Sequence, residues 1–125
     1  MSFDAIGIVS EDPARSIAFY KLLGVEIVRY ADSDHYEATL ANGTRLMLDS
    51  AALIKSYEPA FEKKQGTGIA LCFKQDSAAA VDATYAAIIA AGHRSIKAPW
   101  DAFWGHRYAC VSDPDGTQID LFAHL

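Results

Sequence analysis

The two halves of this chain repeat one another in element order and in residue identity, and few folds can accommodate that. Gly43-Thr44-Arg45-Leu46-Met47-Leu48 lies under Gly116-Thr117-Gln118-Ile119-Asp120-Leu121. Gly7, between Ile6 and Ile8, lies under Ala70, between Ile69 and Leu71. In the first half a strand-like run over residues 3–10 leads directly into a helix start. Asp12 is suited to accept bonds from free amides as the N-cap, and Pro13 fits the first turn, where its missing N–H is not needed. Ile17, Tyr20 and Leu23 recur at helical spacing, and Gly24 supplies the left-handed stop. Three strand-like runs follow over residues 25–30, 35–40 and 44–49, separated by the turn formers Asp32, Ser33 and Asp34, then Asn42 and Gly43.

Residues 51–65 are polar, mixed in charge and interrupted by Pro59, and read as a linker with a helical turn around residues 52–55. The order of the first half then returns. Residues 67–73 form a strand, and residues 77–91 a helix with Val81, Tyr85 and Ile88 on one face and Gly92 as its stop. Strands over 93–97, 106–112 and 117–123 follow. The expectation is one domain of 125 residues, made of two tandem βαβββ units at about 1–50 and 66–125. A period near sixty residues is too long for a solenoid repeat and suits a duplicated half-domain. Each unit alone buries only one sheet face, so the two are expected to pair around a core and a cleft.

The stretches SEDPARSIAFYKLLG (residues 10–24) and GHRYACVSDPDGTQIDLF (residues 105–122) carry a resemblance. Together with the repeat they are similar, over the full chain, to the vicinal oxygen chelate superfamily of glyoxalases, bleomycin-resistance proteins and extradiol dioxygenases. The resemblance implies an α+β fold in which the two units form a curved, barrel-like mixed sheet with helices outside, and commonly a homodimer. It does not choose a chemistry, because the superfamily hosts several reactions and some pure binders. In its metalloenzymes, ligands come from the first and last strands of each half. Carried over, those positions fall on Ala5, Met47, Gly68 and Asp120. A catalytic metal needs three or four converging N or O donors. One carboxylate does not supply them, so neither metal nor cofactor is expected. A one-residue register change offers no rescue, because it turns side chains to the opposite face. An unconventional site joining Asp120 to His106 or His35 is the weaker alternative.

Charge and hydropathy narrow the partners. Sixteen acids against eleven bases give a net charge of −5, which disfavours nucleic-acid phosphate and weakly favours a cationic ligand. No apolar run approaches the ~20 residues of a membrane helix, and the N-terminus lacks the pattern of a signal peptide. A cytoplasmic protein is expected, with Cys72 and Cys110 as reduced core thiols.

Among the histidines, His93 and His124 read as solvated, and His35 as a rim residue or a cleft contact. If Ala109 and Val111 face the helices, His106, Tyr108 and Cys110 face the cleft by the two-residue period of a strand. His106 is then either a ligand contact or a histidine merely hydrogen-bonded at a strand end. The segment PWDAFWGH (residues 99–106) concentrates large aromatics. They close the core, stack on a flat ligand or form a dimer contact. The DPDG of residues 113–116 is turn chemistry, with Pro second and Gly fourth. No phosphate loop, nucleophile elbow or cysteine beside a base is present, and no catalytic residue is assigned. The expected function is metal-free binding of a planar or aromatic, including cationic, small molecule such as an antibiotic. Its walls are Tyr36, Met47, Trp104, His106, Tyr108, Asp120 and Phe122, with Asp120 as anchor. The alternative is a glyoxalase-like lyase or isomerase, or a dioxygenase-related enzyme, using Asp120 and His106.

Overall fold

The computed structural model describes residues 1–66 and 68–125. Thr67, which the sequence places at the head of a strand, lies outside the described residues. The chain divides into two units, Met1–Lys64 and Gln65–Leu125.

The first unit runs β1 (Ala5–Ser10), α1 (Pro13–Leu22), β2 (Val28–Arg29), β3 (His35–Thr39), β4 (Arg45–Ser50) and α2 (Ala51–Tyr57). Asp12 caps α1 by accepting the Arg15 N–H, and Gly24 turns the chain out at φ 77°. The sheet order is β1-β4-β3-β2, with β1 parallel to β4 and the remaining pairs antiparallel. A hydrogen bond of 2.7 Å between Ser10 Oγ and Ser16 Oγ ties β1 to α1. Cross-strand pairing puts Ile8, Leu48 and Tyr36 in one row and Leu46 with Ala38 in another, all on the α1 face. The Ile8, Leu46 and Leu48 side chains are buried there, as are Phe19 and Tyr20 of α1.

The structure departs from expectation twice in this unit. The strand expected over 25–30 shrinks to two residues, because the Val25 N–H closes the end of α1 on the Tyr20 carbonyl. The supposed linker begins with a seven-residue helix instead of a single turn. Ser50 ends β4 and caps α2 at once, accepting the Leu53 N–H.

The second unit runs β5 (Ala70–Lys74), α3 (Ala78–Ala90), β6 (Arg94–Ala102), β7 (His106–Ser112) and β8 (Gln118–His124). Its order, β5-β8-β7-β6, repeats the first, with β5 parallel to β8. Ser77 caps α3, and the Arg107 guanidinium grips Asp82 on α3 with two hydrogen bonds, of 2.9 and 3.1 Å. Ala109, Val111, Ile119 and Leu121 point the same way and pack with Val81 and Ile88, all fully buried. The DPDG turn forms as expected, with Asp113 Oδ1 accepting the N–H groups of Asp115 and Thr117.

β6 is nine residues long, where five were expected. The register of β6 against β7 slips between Ser95 and Lys97 and again between Lys97 and Trp100. These bulges absorb extra residues and admit Pro99 without loss of a ladder bond. Residues 99–102 of the aromatic segment, outside the strands expected over 93–97 and 106–112, are therefore strand.

The α+β class and the doubled element order stand. The single barrel-like sheet resolves, among the described residues, into two separate four-stranded mixed sheets. Among the described residues no helix is long and apolar enough to cross a membrane.

Candidate functional site

Alternation along β5 to β8 sends every second side chain to the face opposite α3, and strand pairing arranges them in rows. The first row is Ala70, Gln118, Ser112 and Arg94. Next come Cys72, Asp120, Cys110 and Lys97, then Lys74, Phe122, Tyr108 and Trp100. His124, His106 and Ala102 end the face. His106, Tyr108, Asp120 and Phe122 thus share one surface, and Trp104, in the turn after β6, joins them.

The aromatics make a continuous patch. Trp104 meets Trp100 at 5.9 Å and Tyr108 at 5.4 Å, edge to face. Phe122 stacks on Tyr108 at 6.1 Å and on His106 at 5.1 Å. Trp104 remains 46% exposed and Phe103 97%, so these rings close no core. The Lys97 ammonium lies 4.7 Å from the centre of the Trp100 ring, at cation–π distance. His106 Nε2 faces His124 Nδ1 at 3.1 Å. His124, expected to be solvated, is exposed but belongs to this cluster.

Asp120 lies at the centre of the face and is 8% exposed. Its Oδ2 accepts the Tyr108 hydroxyl at 2.7 Å and sits 3.9 Å from Cys72 Sγ, while Oδ1 accepts Gln118 Nε2 at 2.9 Å. The carboxylate therefore has its own donors within the face. Burial, then the Asp120 carboxylate, drive the Tyr108 phenol far above its usual value. The same two causes push the Cys110 thiol up to about 12. Cys72 is raised as well, first by burial of its sulfur and then by the Asp120 charge. Neither thiol is a thiolate near neutrality, so neither is an activated nucleophile.

The cysteines correct the sequence expectation. Cys110 is buried but Cys72 is exposed, on the face opposite α3 rather than in the core. They flank Asp120 from strands on either side of β8. Two strand spacings of ~4.8 Å separate their backbones, beyond the reach of a disulfide. Gln118, Cys72 and Cys110 were missed as partners of Asp120, although Gln118 lies one strand period before it.

The other two expected wall residues belong to the first unit and lie on opposite faces of its sheet. Tyr36 pairs with the buried Leu48 on the α1 side, and its hydroxyl bonds Asp34 at 3.2 Å. Met47 pairs with Glu37 and Gly7 on the far side. Around Met47 runs a charge chain that the sequence did not reveal. His35 Nδ1 meets Asp49 at 2.5 Å and Nε2 meets Glu37 at 3.0 Å. Glu37 in turn pairs with Arg45, which bonds Asp4 at 2.7 Å. Burial opposes charge on His35, but the hydrogen bonds and charges of Asp49 and Glu37 outweigh it and raise its pKa.

The ladders also revise the comparison of the halves. Ala5 stands beside Arg45, two residues before Met47, and Ala70 stands beside Gln118, two before Asp120. The counterpart of Ala5 is therefore Ala70 rather than Gly68. An even shift keeps the face and exchanges a hydrogen for a methyl, so the four positions still offer one carboxylate. Among the described residues no group of three or more His, Cys, Asp or Glu side chains is arranged to hold a metal ion. This donor set does not fit the metal of the family's metalloenzymes.

A groove of about 510 Å³ opens at the other end of the same unit, where Arg94, Gln118, Ser112, Gly116, Ile69 and Ile96 form part of its wall. None of the seven residues expected from sequence lines it.

The family model described as the glyoxalase/bleomycin resistance protein/dioxygenase superfamily matches residues 2–121. No curated protein matches the chain. Among solved structures, the chain is similar to a glyoxalase/bleomycin resistance protein/dioxygenase family enzyme from Burkholderia phytofirmans PsJN, at 21% identity over 100% of both chains and a TM-score of 0.84. A glyoxalase-related enzyme from Fulvimarina pelagi is similar at 18% identity, covering 98% of this chain and 88% of that one, with a TM-score of 0.84. Protein ATC0852 from Agrobacterium tumefaciens is 28% identical over 100% of this chain and 99% of that one, with a TM-score of 0.73. At 18% and 21% identity the likeness shows the fold alone.

Proposed function

Because the chain belongs to the glyoxalase/bleomycin resistance protein/dioxygenase superfamily, we propose that it sequesters a planar or aromatic small molecule, such as an antibiotic, without a metal. The observation that carries this reading is the aromatic patch of exposed Trp104 with half-buried Trp100, Tyr108 and Phe122, beside the buried Asp120. Flat rings stack on such a surface, and edge-to-face neighbours hold it rigid at little entropic cost. Asp120 fixes the Tyr108 hydroxyl and so sets the tilt of the central ring. The protons held tightly by Tyr108, Cys72 and Cys110 favour a binding surface over nucleophilic chemistry. We take a homodimer as the working species, as is common in the superfamily.

Fluorescence titration of the tryptophans with a panel of flat aromatic compounds that includes bleomycin tests the reading. At least one compound binds, and Trp104→Ala weakens it about tenfold, the loss of one good aromatic contact. Unchanged affinity removes Trp104 from the site. The competing lyase or isomerase reading predicts turnover of a glyoxalase-type hemithioacetal that Asp120→Asn abolishes while binding persists.

A further inference from the structure

The acidic chain as a whole suggests a cationic guest, but the face that bears the aromatic patch has the opposite sign. Its strand residues carry Lys74, Arg94 and Lys97 against Asp120 alone, in a chain of net charge −5. Asp120 is already engaged by Tyr108 and Gln118. Lys97 is engaged by Trp100. Arg94 differs: among the described residues its guanidinium makes no hydrogen bond and no ion pair, and it lines the 510 Å³ groove. A guanidinium on a concave wall with no carboxylate partner is a fork for a planar anion.

We propose that this groove is a separate subsite for an organic carboxylate with an apolar body. The carboxylate pairs with Arg94. Gln118 supplies a second donor: its carboxamide nitrogen gives one hydrogen to Asp120 Oδ1 and keeps another. The opposite amide orientation would set two acceptors against each other, so the network fixes this one. Ile69 and Ile96, 63% and 45% exposed, line the groove and cover the apolar body. Ser112 donates its own hydroxyl to the Asp113 carbonyl, which leaves that oxygen only as an acceptor. The groove starts at the Ser112 row, four residues along β7 from Tyr108, roughly 14 Å at the rise of a strand. It is therefore distinct from the aromatic patch and stands or falls independently of the function proposed above.

The test uses hexanoate and its uncharged isostere hexanamide, titrated into the isotopically labelled full chain and followed by amide chemical shifts. Hexanoate shifts the amides of Ala70, Gly116 and Gln118 and binds at least about tenfold tighter than hexanamide, the difference expected for one charge-assisted pair. Arg94→Gln erases that preference, Arg94→Lys keeps part of it, and Trp104→Ala leaves it unchanged. Raised salt weakens hexanoate and not hexanamide. Equal binding of the two probes, full hexanoate affinity in Arg94→Gln, or shifts centred on Trp104 and Tyr108 would each overturn the subsite. Trp104→Ala reads the aromatic patch separately, so the two proposals fail by different results.

Discussion

Asp120 shows how much one buried carboxylate can organise. With 8% of its surface exposed, it is compatible with folding only because Tyr108, Gln118 and Cys72 supply donors. Tyr108→Phe removes the shortest of these contacts and leaves the ring in place. The expected cost is about 2 kcal/mol, the scale of a hydrogen bond to a charged group, read from the denaturant midpoint. A loss near zero would mean that solvent already satisfies Oδ2. The residues of this face differ in legibility. His106 and Tyr108 were placed on one face by the two-residue period of β7, and Asp120 joined them through the superfamily resemblance. Cys72 and Lys97 were not, because no local pattern tells a strand which strand will lie beside it.

At the scale of elements, the β3–β4 pair carries a titratable device in the His35–Asp49–Glu37–Arg45 chain. His35 holds its proton more tightly folded than unfolded. Its contribution is fully present below the ordinary histidine value of 6.5 and fades as pH rises through the raised native value. Glu37 is lowered, chiefly by its bond to His35, so its share is present above the ordinary carboxylate range and fades as pH falls through its native value. The pair therefore stabilises most at mildly acidic pH. Thermal melts between pH 5 and 8 should show the wild type losing its advantage over His35→Gln as pH rises. Parallel curves would show that His35 binds its proton no more tightly in the folded chain than in the unfolded one. Neighbouring pairs on this sheet also decide what Tyr36 and Met47 can share. Each strand's alternation is visible in sequence, but the phase of β3 against β4 is set by pairing, and it puts these two on opposite faces.

For the whole molecule, the superfamily's metalloenzymes suggest four ligand positions, two in each unit, and the side chains at those positions are poorly suited to a metal. Ala5, Met47, Ala70 and Asp120 provide a single hard donor. A thermal-shift screen against divalent ions should give no stabilisation beyond that of monovalent salt, and metal analysis of protein purified without chelator should find no stoichiometric ion. A bound ion would require donors beyond these four. The sequence by itself determined the two βαβββ units, the cap at Asp12 and the DPDG turn. Each is written in residues a few positions apart, where capping, turn chemistry and alternation act. Only the tertiary structure decided the two-residue register that exchanges Gly68 for Ala70, the bulges that carry Pro99 and Trp100 into β6, and the row of Cys72, Asp120, Cys110 and Lys97. Those depend on ladders between strands that the sequence separates by intervening helices and turns, and the register of such ladders is chosen by which side chains the helices must bury.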